Sequence, residues 1–141
     1  MFSSIILDYE ENNLSKEEFL SSVEAISRDM KISEQWIIIS YGNNISEKFI
    51  SDFGDYILWD GVATNNTISD NFIISNFSKF SRLGRFNLLA CRKLSLDVIT
   101  KILYCENDSE MKEKCFKYIL CYQDLTSEEL DRIKFIREIC E

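Results

Sequence analysis

Few residues in this chain are of types that do chemistry, and their spacing narrows them further. Asp52 and Asp55 stand three apart, which puts two carboxylates on one side of a helix. Such a pair is the minimum for acid–base catalysis, but at helical spacing on a wet side it reads as surface charge. Five cysteines, Cys91, Cys105, Cys115, Cys121 and Cys140, all fall in the C-terminal half. Their odd number, their uneven spacing and the lack of any Cys-x-x-Cys argue against a disulfide framework. The chain has no histidine, so ordinary Ser–His or Cys–His nucleophilic catalysis is excluded. A zinc site would need several thiolates converging from distant positions, and free, mostly buried thiols are expected instead. The four glycines, Gly42, Gly54, Gly61 and Gly84, are isolated, which excludes a glycine-rich phosphate loop. The expectation is a protein that is not an enzyme and carries no cofactor or metal.

Charge is what is left to act with. The 141 residues carry a formal net charge of −8, distributed unevenly. Residues 1–78 hold thirteen acids and four bases, 79–104 hold six bases against Asp97 alone, and 105–141 hold ten acids and six bases. An acidic chain repels phosphate backbones, so direct nucleic-acid binding is not expected, whereas a basic protein partner would be steered towards it. The acids Glu47, Asp52, Asp55, Asp60 and Asp70 fall in the stretch 36–73, where only Lys48 opposes them. They are the candidate partner-binding residues. Their plainer reading is the solvated sides of helices, with Asp60 capping a short helix at Trp59.

The elements that position these groups follow from composition and a repeated signal. Apolar residues at 45%, charged residues at 28% and the absence of proline exclude a disordered chain, a membrane span and a turn-rich β-sandwich. The first residues have no basic start and too short an apolar run for a secretory signal, so a cytoplasmic location is expected. An aliphatic residue followed by a hydroxyl residue recurs at Leu14-Ser15, Ile32-Ser33, Ile45-Ser46, Ile68-Ser69, Leu94-Ser95 and Leu125-Thr126. If each hydroxyl residue is an N-cap, the residue four further on is Phe19, Ile37, Ile50, Ile73, Ile99 or Leu130, which completes a hydrophobic staple every time. Ser15 and Thr126 also have Glu18 and Glu129 three residues on, the capping-box arrangement.

Trp36, Trp59, Phe86 and Phe116 precede four of these sites by eight or nine residues, each with an aliphatic residue three further on: Ile39, Val62, Leu89 and Ile119. The chain therefore divides into degenerate units at 14–44, 45–67, 68–93 and 94–124, with a closing helix at 125–141. Each unit would be a stapled helix, a break, and a short helix led by the aromatic. Helices are predicted near 15–31, 46–54, 69–79, 95–105, 109–122 and 126–139. Apolar stripes support the longer ones: Phe19, Val23, Ile26 and Met30; Ile99, Ile102 and Leu103; Leu130, Ile133, Ile136 and Cys140. Strand propensity at 36–39 and 72–74 is overruled by the staple signals beside them. One hairpin cannot bury its apolar face, so neighbours must stack. The prediction is an all-α single domain of stacked short helical hairpins, with Trp59 and Phe86 in equivalent, largely buried positions.

The string Trp36-x-x-Ile39-Ser40-Tyr41-x-x-x-Ile45-Ser46-Glu47-x-Phe49-Ile50 resembles the short degenerate helical repeats of large DNA viruses and some phages, and Trp59…Ile68-Ser69-Asp70-x-Phe72-Ile73 repeats its elements. The resemblance covers about residues 14–130 and implies a helical array that binds something, with no chemistry and no transferable site residue. Size, acidity and the lack of catalytic motifs lead to the functional expectation: a protein-binding inhibitor, an immunity protein that neutralises a basic, nuclease-type toxin by steric and electrostatic blocking. The alternatives are a phage or viral inhibitor of a host protein, and a structural repeat or scaffold module.

Overall fold

A computed structural model of the protein describes residues 1–42, 45–65 and 67–139. Among these, α1 (Ser3–Glu10), α2 (Lys16–Ile26), α3 (Ile32–Gly42), α4 (Glu47–Asp52), α5 (Trp59–Val62), α6 (Asp70–Ser75), α7 (Arg82–Cys91), α8 (Leu96–Cys105), α9 (Ser109–Tyr122) and α10 (Ser127–Ile139) follow one another with no strand, and one 3-10 turn lies at Phe77–Lys79. The fold class is all-α. None of the described helices is long and apolar enough to cross a membrane.

Five of the six hydroxyl signals start helices. Ser15 Oγ accepts the Glu18 N–H at 3.1 Å while the Glu18 carboxylate accepts the Ser15 N–H at 3.2 Å, a complete capping box ahead of α2. Thr126 and Glu129 exchange the same pair of bonds, each of 3.1 Å, ahead of α10. Ser46, Ser69 and Ser95 accept the N–H of Phe49, Phe72 and Val98, opening α4, α6 and α8. None of these three has an acid at the third helical position. At two of them a distant carboxylate takes the N-cap N–H instead: Glu10 Oε1 on Ser46 at 2.8 Å, and Asp70 Oδ2 on Ser95 at 2.9 Å.

The sixth signal fails. Helix α3 opens at Ile32, with the Gln35 N–H already bonded to the Lys31 carbonyl, so Ser33 lies inside the first turn. The buried Gln35 side chain donates to the Ser27 carbonyl at 2.9 Å, fixing the preceding turn and bringing the helix start forward. Helices α1, α5, α7 and α9 lie outside the six signals, and α9 is capped by Asp108, which accepts the Met111 N–H. Helix α7 is capped by Ser81, which follows an aromatic, Phe80, rather than an aliphatic residue. Helix α1, for which no signal was read, ends on Asn12 at φ 63°. There the Asn13 N–H reaches the Asp8 carbonyl and the Asn12 N–H the Tyr9 carbonyl, a Schellman ending in which asparagine tolerates the left-handed conformation. Only α5 is led by its aromatic; Trp36, Phe86 and Phe116 sit within α3, α7 and α9. Asp60 is not a cap, because Leu58 holds that position without a side-chain bond. Helix α2 stops at Ile26, short of the predicted 31, where the Ser27 hydroxyl donates back to the Val23 carbonyl at 2.8 Å.

The chain forms two compact units, Met1–Ile68 and Ser69–Glu141. In the first, α1 packs on α2 and α3 on α5, around an aromatic cluster. Phe53 is its hub, with ring centroids 4.9 Å from Tyr9, 4.9 Å from Phe19, 5.6 Å from Trp36 and 4.8 Å from Phe49. Tilted and edge-on arrangements of this kind satisfy the ring quadrupoles while burying a large apolar area. In the second unit like packs on like: α7 on α9, α6 on α8, and α8 on α10, with α9 also against α8. This is the stacking that degenerate hairpins require. The aliphatic residues Ile39, Val62, Leu89 and Ile119 are fully buried, as are Ile99 and Ile102. Trp36 and Phe116 are buried too, but Trp59 and Phe86 are equivalent only in being half-buried, short of the expected burial. In the first stripe Ile26 is exposed, since the helix ends there; in the last, Cys140 lies outside the described residues.

Buried amides hold the starts of two repeat units. Asn65 Nδ2 donates to the Ile45 carbonyl at 2.8 Å in the first compact unit. In the second, Gln123 Nε2 donates to the carbonyls of Leu89 and Arg92 at 2.7 and 2.8 Å, and its Oε1 accepts the Leu94 N–H at 2.9 Å. Ile45 and Leu94 are both staple residues, so each amide closes the end of its repeat unit onto that unit's beginning. Glu106, also buried, pairs through both oxygens with the Arg82 guanidinium at 2.8 and 3.0 Å.

Candidate protein-binding face

The two compact units differ sharply in charge. Met1–Ile68 contains twelve acids and four bases, a formal net of −8, whereas Ser69–Glu141 contains twelve of each. The whole imbalance of the chain therefore belongs to the first unit. The basic stretch 79–104 is largely occupied within the second. Arg82 and Arg85 face Glu106, Arg92 pairs with Asp70 at 3.7 Å, and the Lys101 ammonium lies 5.3 Å from the Phe77 ring centroid.

The five candidate acids separate into different roles. Asp52 is held inside the first unit, accepting the Tyr9 hydroxyl at 2.7 Å and the Lys48 ammonium at 3.1 Å. The Tyr9 bond, followed by that of Lys48, lowers the Asp52 pKa, while burial and the carboxylate raise Tyr9 from 10.0 to about 12. Asp70 lies in the second unit and is engaged by Ser95 and Arg92. Glu47 and Asp60 are half-buried in the first turns of α4 and α5, where a carboxylate meets unpaired helix N–H groups. Asp55 is different. It is exposed, and it has no hydrogen bond or ion pair to any described residue.

Asp55 lines a groove of about 330 Å³ whose other walls are mainly Ile32, Trp36, Ile37, Tyr56 and Leu58. Trp36, only 4% exposed, stacks on Tyr56 with centroids 5.1 Å apart and planes 25° apart. Around this stacked pair the surface is apolar and open: Ile32 is 69% exposed, Ile37 45% and Tyr56 40%. A second hollow of about 190 Å³ shares Ile32, Trp36 and Tyr56 and adds Leu20 and Glu24. An apolar centre with carboxylates beside it is the ordinary anatomy of a protein-binding patch.

Reasoning from sequence found Asp55 but missed the apolar residues around it. Ile32 and Ile37 are paired there as a hydrophobic staple, whereas the structure leaves both exposed. The usable signal was the run Trp36–Ile39, because four successive apolar residues on one helix cannot all face inward. The thiols also differ from expectation. Cys91, Cys105 and Cys121 are exposed and only Cys115 is buried, since Cys91 and Cys105 close their helices and Cys121 lies next to the end of α9; Cys140 lies outside the described residues. Burial, aided by the nearby Glu106 charge, pushes the Cys115 thiol up to about 11. Among the described residues no three acids or cysteines are grouped to hold a metal ion. Comparison with protein families, with curated proteins and with solved structures finds no match for this chain.

Proposed function

We propose that this protein binds and neutralises a basic protein in the cytoplasm, as an immunity protein does a nuclease-type toxin, using the groove face of its first unit. The observation that carries this reading is an open apolar groove, lined by an unpaired carboxylate, in the unit that holds all of the chain's net charge. A side chain anchored in such a groove supplies much of the affinity, while the acidic field raises the encounter rate and selects a basic partner. A basic nuclease covered in this way would have its phosphate-binding cations facing carboxylates, with nucleic acid excluded by both bulk and charge. The resemblance to viral helical repeats is compatible with the same face serving a phage or viral inhibitor of a host protein.

The test is titration of this protein into each basic nuclease encoded next to it. Cleavage of nucleic acid should stop at one equivalent, with an association rate that falls roughly tenfold or more as salt rises from dilute to near-molar concentration. Undiminished cleavage with this protein in excess overturns the reading. Inhibition at a rate indifferent to salt overturns its electrostatic part.

A further inference from the structure

We propose that the groove lined by Trp36, Tyr56 and Asp55 accepts a single arginine side chain of the partner, with its guanidinium on the Asp55 carboxylate and its methylene stem along Ile37, Tyr56 and Leu58. This rests on the reading that the first unit binds a basic protein, and it specifies what enters the groove. Arginine matches all of the surfaces present. Its stem covers apolar walls, its planar cation stacks on an aromatic ring, and its fork of N–H donors fits a carboxylate with two bonds. An apolar anchor such as leucine or phenylalanine would fill the same space but strip water from Asp55 without giving it a partner, which is costly. An acidic or phosphorylated group would meet Asp55 as a like charge.

The chain itself uses this combination twice. In the first unit Lys48 pairs with Asp52 and lies 5.2 Å from the Tyr9 ring centroid. In the second, Arg137 pairs with Glu113 and its guanidinium lies 4.5 Å from the Phe116 ring centroid. Each time a carboxylate and an aromatic ring hold one cation between them. Tyr56 and Asp55 form a third such set, adjacent in sequence and lining one groove, and among the described residues no cation of the chain engages either of them. The missing cation is the one a partner would bring.

The experiment titrates isotopically labelled full-length protein with the peptide acetyl-Gly-Arg-Gly-amide, and with its lysine and citrulline counterparts, followed by NMR. The arginine peptide should give saturable shifts at the Trp36 indole N–H and at the amides of Ile37, Asp55 and Tyr56. It should bind more tightly than the lysine peptide and roughly tenfold more tightly than the neutral citrulline peptide. Asp55→Asn should weaken it several-fold while the rest of the spectrum is unchanged, because Asp55 is exposed and unbonded; Tyr56→Leu should weaken it as well, with added shifts confined to the ring neighbours Trp36 and Phe53. Shifts spread over all acidic residues without saturation, equal binding of the citrulline peptide, or undiminished binding to Asp55→Asn overturn the proposal. The broader reading fails separately. If the arginine peptide occupies the groove but no neighbouring basic nuclease is inhibited, the proposed function falls and the groove assignment stands. If a nuclease is inhibited equally well by Asp55→Asn, only the groove assignment falls.

Discussion

Replacing Gln123 with leucine tests the amide clasp of the second unit at nearly constant volume. The wild-type side chain makes three hydrogen bonds, to the Leu89 and Arg92 carbonyls and from the Leu94 N–H, all between 2.7 and 2.9 Å. Each such bond contributes about 1 kcal/mol net, and a donor left buried without a partner costs about 1–3 kcal/mol. Leu94 is buried at 4% exposure, so its N–H has little access to water once the amide is gone. The expected loss is therefore about 3–5 kcal/mol, a large share of the 5–15 kcal/mol typical of a whole domain. Gln123→Glu should lose nearly as much, because the carboxylate still accepts from Leu94 but sets negative oxygen against two carbonyls. Urea unfolding followed by far-ultraviolet circular dichroism measures the loss. Ser22→Ala serves as the control, since the Ser22 hydroxyl bonds the Glu18 carbonyl on an exposed helix side. A loss below about 1 kcal/mol for Gln123→Leu would mean that water replaces the amide, and would refute the clasp.

Other expectations follow from the caps, the Tyr9–Asp52 pair and the thiols. Ser15→Ala should cost about 1 kcal/mol in urea melts and Ser33→Ala close to nothing, since only Ser15 caps a helix; equal losses would contradict the assigned starts. Asp52 titrates below its ordinary 3.8 when folded, so the stability from its bonds is full above that value and fades as pH falls through the lowered one. Tyr9 is raised from 10.0 to about 12, so its share is full below pH 10 and fades as pH rises towards 12. Asp52→Asn should remove this share of the acid limb in a plot of urea midpoint against pH and make the alkaline limb shallower only in part, because burial, the larger cause at Tyr9, remains; an unaltered acid limb would contradict the pairing. In mass-resolved alkylation of the native protein, Cys91, Cys105 and Cys121 should react readily, while Cys115 should react only as the protein unfolds; early labelling of Cys115 would contradict its burial.

Helix starts were the most legible part of the fold because a cap is a local device. Ser15 and Thr126 carry both halves of a capping box within four residues, and the starts of α2 and α10 fell one residue after them. Ser33 failed because its competitor, Gln35, acts through a buried bond to a carbonyl eight residues back, which no short pattern encodes. The burial of Trp59 and Phe86 was overestimated because repeat register states which residues are equivalent and does not state how deep they lie. The candidate site was half legible. Acidity located the unit and Asp55, but which acids are free depends on Tyr9 and Arg92, residues 43 and 22 positions from the acids they engage. The apolar walls stayed hidden since hydrophobic residues on a helix are assigned to the core by default.

The borrowed carboxylates at Ser46 and Ser95 bear on the order in which the chain acquires structure. The starts of α2 and α10 are complete as soon as one turn forms, because donor and acceptor are neighbours. Those of α4 and α8 wait for Glu10 and Asp70, which lie 36 and 25 residues upstream and arrive only after a loop has closed. Local contacts of the first kind belong to an early nucleus, and distant ones to the final descent to the native state. Removing Glu10 or Asp70 should then speed unfolding far more than it slows folding, which is the kinetic mark of an interaction made last.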